Sequence, residues 1–174
     1  MYAEFDFSTI EYTDNFLEII NFYLFECPYE KSSHRGKTFT QKGWTKKYLV
    51  KLLDAMKDVA GISKEKCVHT SKEEVEKKSK NFLPGEEFLV YSSENGVTKS
   101  IFKYIRNAFA HGSFNIYEKN GEKFYYFENQ KGGYINAKMS IKEITLLYWI
   151  KLFNIKPDRL YNEQEKIIKR IKNK

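Results

Sequence analysis

Tyr104-Ile105-Arg106-Asn107-Ala108-Phe109-Ala110-His111-Gly112 closes an apolar helix and carries three polar groups at its margins. Upstream and through it, Val97, Ile101, Phe102, Ile105, Ala108 and Phe109 recur at helical spacing, a stripe suited to deep burial. Gly112 marks the expected stop, because a glycine takes the left-handed C-terminal conformation at little cost. Beyond it the period falls to two. Phe114 and Ile116, then Lys123, Tyr125 and Phe127, alternate around Asn120-Gly121, a strong hairpin signal. A third strand is expected from Tyr134 to Met139 after the Gly132-Gly133 turn.

The flanks read mostly as helix. Thr13 and Asp14 precede Phe16, Leu17, Ile19, Ile20, Tyr23 and Leu24, which predicts a first helix over 14–25. Residues 30–43 are aperiodic and rich in Lys31, His34, Arg35 and Lys37, a basic loop suited to touching phosphates. Thr45 can cap a second helix ending at Gly61, with Tyr48, Leu49, Leu52, Leu53, Met56 and Val59 on one face. Ser71 and Glu74 form a capping-box pattern for a polar helix through Lys80, expected to be peripheral because Val75 is almost its only apolar residue. Pro84-Gly85 breaks it, and Phe88-Leu89-Val90-Tyr91 suits either a strand or an anchor under neighbouring helices. Ser140 and Glu143 form a second capping-box pattern before an apolar helix to about Phe153. Pro157 separates it from a last amphipathic helix facing inward through Ile167, Ile168 and Ile171.

A chain of 174 residues with 41% hydrophobic content has material for one core, so a single domain over 1–174 is expected. Thirty Lys plus Arg against 23 Asp plus Glu give +7, and the pI near 9.2 favours a polyanionic partner. Cys27 and Cys67 form no Cys-x-x-Cys pair, which points away from disulfide frameworks and zinc sites and toward a reducing cytoplasm. His69 two residues after Cys67 has no further ligands nearby in sequence, so neither a metal nor a cofactor is expected. No apolar run approaches a membrane span, and Met1–Phe7 does not read as a signal peptide.

Arg106, Asn107 and His111 bear the chemistry. Attack of a ribose 2′-hydroxyl on its own phosphodiester needs a proton shuttle titrating near neutrality and a fixed cation for the charge growing on the phosphoryl oxygens. Histidine supplies the first and arginine the second. At about 100° per residue, Ser100, Tyr104, Asn107 and His111 fall within about 60° of one another, whereas Arg106 stands about 140° from His111. One chain joins those two groups only by unwinding near Gly112; a two-fold pairing of chains is the other route. Asn107, one turn before His111, is placed to orient it, and Tyr104 on the same side is a candidate RNA contact.

The run Arg106-Asn107-x-x-x-His111 resembles the motif of the HEPN superfamily (higher eukaryotes and prokaryotes nucleotide-binding), in which an arginine, usually followed by a polar residue, precedes a histidine with four to six residues between. The resemblance implies a mainly α, HEPN-like helical bundle, here with a small antiparallel insertion near 113–139. It also implies a homodimer with a composite site and metal-independent endoribonuclease activity on RNA, as in toxin, abortive-infection or antiviral effectors. A neutralising antitoxin or regulatory protein is the implied further partner. In one toxin branch a modified tyrosine stands two residues after the histidine; Ser113 occupies that place here, a departure from that branch. The other reading is a noncatalytic HEPN-like module that binds RNA or protein.

Overall fold

Thr13 opens the first helix, α1 (Asp14–Asn21), by accepting the Phe16 amide at 3.2 Å, in a computed structural model that describes residues 13–28, 37–83, 85–93 and 96–172. The helix then widens into a π turn over Phe22–Glu26, closed by Cys27 N–H donating to the Phe22 carbonyl at 2.7 Å. The expected span is helical, but its last third is π, which turns both Phe22 and Tyr23 into the interior. Helix α2 (Lys46–Ala60) ends at Gly61 in the left-handed conformation and buries Leu49, Leu52, Ala55, Met56 and Val59. Two side chains grip its backbone: Thr98 Oγ1 donates to the Leu49 carbonyl at 2.8 Å, and Trp149 Nε1 to that of Met56 at 3.0 Å. These bonds tie α2 to α4 (Val97–His111) and α5 (Glu143–Asn154). Helix α6 (Leu160–Lys172) follows a 3-10 turn at Pro157–Arg159 and lays Ile167, Ile168 and Ile171 against the same core.

A five-stranded mixed sheet corrects the expectation of a mainly helical bundle with a small insertion. Strands make up 21% of the described residues and helices 57%, so the molecule is an α/β fold built on a substantial sheet. The strands are β1 (Cys67–His69), β2 (Phe88–Tyr91), β3 (Phe114–Lys119), β4 (Glu122–Lys131) and β5 (Tyr134–Lys142). Their order is β1-β2-β5-β4-β3, with β1 and β2 parallel and every other pair antiparallel. The 113–139 segment is therefore not an appendage, because β5 continues the sheet into β2 through the pairs Leu89–Met139 and Val90–Lys138.

Burial on both faces hid β2 from the periodicity. Leu89 and Tyr91 join the large core shared by α1, α2, α4, α5 and α6, while Phe88 and Val90 meet Val75 of α3 (Lys72–Ser79) on the other face. A strand covered on both sides reads as a continuous apolar run without alternation. The polar helix α3 is thus the cover of the second face, with Val75 fully buried at its centre. At the β3–β4 turn, Asn120 (φ 54) and Gly121 (φ 76) both take positive φ, the type I′ geometry that the Asn-Gly pair favours.

Ser140 and Glu143 do not form a capping box, because β5 runs directly into α5 and Ser140 is a buried strand residue 2.8 Å from the Tyr117 hydroxyl. Glu87 provides the acceptor instead: it takes the Lys142 amide at 2.9 Å and bonds the Thr145 side chain. Burial raises the Glu87 carboxyl above its ordinary range, against the lowering effect of those two bonds. The folded chain therefore holds this proton to higher pH than the unfolded chain, so Glu87 makes stability fall as pH rises above the usual carboxylate range. Glu87→Gln should flatten that decline above the usual carboxylate range in urea unfolding; an unchanged slope would contradict the assignment.

Candidate functional site on α4

Helix α4 stays regular to its last residue. Gly112 (φ 66, ψ 21) then turns the chain, with Ser113 N–H donating to the Ala108 carbonyl at 2.8 Å and Gly112 N–H to that of Phe109 at 3.4 Å. This paired closure satisfies the last carbonyls without loosening the helix. Arg106 and His111 of one chain accordingly remain about 140° apart around the axis.

Burial shows what lies between them. Ile101, Phe102, Ile105 and Ala108 are fully enclosed, whereas Lys99, Lys103, Arg106 and Asn107 are half-buried and Ala110 and His111 exposed. Taken in angular order, Arg106, Lys99, Ala110, Lys103, Asn107 and His111 lie along one arc of about 140° that is open except at buried Ser100 in the first turn. Arg106 and His111 are thus the two edges of a single solvent-facing surface. No aspartate or glutamate occurs anywhere on α4.

Neighbouring elements build this surface up. Phe39 packs on Phe102 (5.8 Å between centroids) and Phe153 (5.9 Å), which seats the turn Thr40–Lys42 beside α4. Lys99 Nζ lies 5.8 Å from the Phe39 ring centre. Lys42 Nζ lies 5.2 Å from that of Phe153 and donates to the Glu26 carbonyl at 3.2 Å. Burial pushes the Cys27 thiol up to about 12, while the charges of Lys42 and Arg106 both pull it down. Cys27 is accordingly a packed thiol with no nucleophilic character at neutral pH. The π turn also stacks Tyr23 against Phe102 at 6.2 Å and leaves its enclosed hydroxyl without a hydrogen-bond partner among the described residues.

The expected site residues divide. Arg106, Asn107 and His111 share the open arc, with Asn107 one helical turn before His111. Tyr104 does not belong with them as an RNA contact: it is 4% exposed, its hydroxyl lies 3.1 Å from Ser92 Oγ, and its ring is core. Angular position alone put it on the polar side, but β4 covers that strip, and Asn129 Nδ2 donates to the Tyr104 carbonyl at 2.9 Å. Lys31, His34 and Arg35 lie outside the described residues, and Lys37 is exposed at the segment's end. His69 Nε2 lies 2.6 Å from Ser93 Oγ, and its ring leans on Tyr91.

Sequence reading missed Lys99 and Lys103, although their spacing to Arg106 at i, i+4 and i+7 was visible, and it missed Lys42 because nothing local ties that residue to α4. Among the described residues, no helix is long and apolar enough to cross a membrane, and no three His, Cys, Asp or Glu side chains cluster as metal ligands. No family model, curated protein or solved structure matches the chain.

Proposed function

We propose that the chain is a metal-independent endoribonuclease with a HEPN-type site, carried on an α/β fold and completed by a second copy. The observation that carries the reading is the open arc of α4, which presents Arg106, Asn107 and His111 together and bears no acid. A single helix keeps guanidinium and imidazole too far apart around its axis to grip one phosphate. Two copies crossing near Ala110, whose methyl allows close approach, bring Arg106 of one against His111 of the other in a two-fold cleft.

In that cleft the 2′-hydroxyl loses its proton to one imidazole and its oxygen attacks the adjacent phosphorus. The bond to the 5′-oxygen breaks as that imidazole, now protonated, delivers its proton to the leaving group. The guanidinium binds the phosphoryl oxygens through its fork of donors, and Asn107 orients His111. The products are a 2′,3′-cyclic phosphate and a 5′-hydroxyl. The site lies on an open face, where an antitoxin or regulatory protein has access to cover it. The divergence of Arg106 and His111 within one copy favours a second reading, a noncatalytic RNA- or protein-binding module, should the chain stay monomeric.

The test is incubation of the purified chain with unstructured RNA in excess chelator, followed by end-group analysis. Cleavage that continues and leaves cyclic phosphates is expected, since neither group needs an ion. Cleavage that stops on metal removal would exclude the mechanism.

A further inference from the structure

We infer that the same arc is a track for one extended RNA strand, on which Lys99, Lys103 and Arg106, with Lys42 from the neighbouring turn, each engage a backbone phosphate. This inference deepens the ribonuclease reading and rests on it for the choice of RNA. Three observations support it. The cations of α4 stand in single file, with axial steps of about 6 Å and about 4.5 Å, and Lys42 joins them from the turn that Phe39 seats on Phe102 of the same helix. The helix has no acid to repel a polyanion, and Lys42 spends its hydrogen bond on a carbonyl of Glu26, not on a carboxylate. The rings on the core side of the hairpin are sealed inside, Tyr125 and Phe127 both at 0% exposure, so they offer no stacking platform.

A file about 10 Å long on a convex helix suits one strand. Readers of duplex RNA instead straddle two successive minor grooves over about 16 base pairs. Lysine contacts phosphate as a point charge and reads no base. The track is therefore tolerant of sequence and blind to the 2′-hydroxyl; discrimination for RNA arises only at the bond-breaking step.

The experiment measures binding of an unstructured twelve-nucleotide RNA, its DNA counterpart and an RNA duplex to the His111→Ala chain across a salt series. Each phosphate neutralised on a single strand contributes about −0.7 to the slope of log K against log salt, so four give about −2.8. Lys99→Gln with Lys103→Gln should lower affinity and flatten the slope by about 1.4, while Lys99→Arg with Lys103→Arg retains both. RNA and DNA single strands should bind alike and the duplex no more tightly. An unchanged slope in the glutamine pair, loss of slope in the arginine pair, absence of binding, or a preference for the duplex would each overturn the track. Lysine-dependent binding with no cleavage by the unsubstituted chain keeps the track and removes the nuclease reading. Cleavage with binding indifferent to these lysines does the reverse.

Discussion

His111→Ala should slow RNA cleavage by about a hundred- to ten-thousandfold, the range for loss of a positioned proton donor or acceptor, and leave the fold intact. His111 is exposed at the last position of α4, ahead of a closure made entirely by backbone groups of Ala108, Phe109, Gly112 and Ser113. A surface change there costs less than about 1 kcal/mol. The loss of rate therefore separates cleanly from loss of structure. Initial rates on labelled RNA, set beside urea unfolding of the same preparations, make the comparison. A variant that cuts RNA at the normal rate would remove the imidazole from the chemistry.

The helices were legible because each carries its own signal. The apolar stripe of α4, the Gly61 and Gly112 stops, and the Asn120-Gly121 turn are all local, and each stands where expected. The sheet was not legible as a whole, and for two physical reasons. β2 is buried on both faces, so Phe88 to Tyr91 show no alternation, and its neighbours, the three-residue β1 and the distant β5, pair with it only through the tertiary fold. With the sheet reduced to its hairpin, α3 lost its evident purpose and read as peripheral, although Val75 seals one face of β2. The cap of α5 was misassigned for a related cause: Glu87 acts on it from another element, which no pattern around Ser140 and Glu143 displays.

The site was legible in its ends and not in its extent. The motif pointed to Arg106, Asn107 and His111, and helical geometry placed the first and last on separate borders. Which side of the helix lay open depended on what packs against it. β4 covers Tyr104 through Asn129, while Phe39 on Phe102 brings the turn of Lys42 to α4, and both facts belong to contacts distant in sequence. Cys27 illustrates the same limit: no local signal told that the charges of Lys42 and Arg106 act on its buried thiol.

Mixing two inactive variants, Arg106→Ala and His111→Ala, should restore cleavage that neither shows alone. If the unbroken helix keeps guanidinium and imidazole from meeting on one α4, each working site draws Arg106 from one chain and His111 from the other. Each variant paired with itself lacks one group in every cleft, whereas the mixed pair holds one complete set, with the Arg106→Ala chain giving its imidazole and the His111→Ala chain its guanidinium. The contrast should be large, because losing either group alone costs at least about a hundredfold. The direct measurement is the rate of cyclic-phosphate formation after the two variants are unfolded together, refolded and supplied with RNA in chelator. Recovery well above the sum of the separate rates is the predicted result; a mixture no more active than its components, with mixed dimers demonstrably present, would contradict a site shared between two copies.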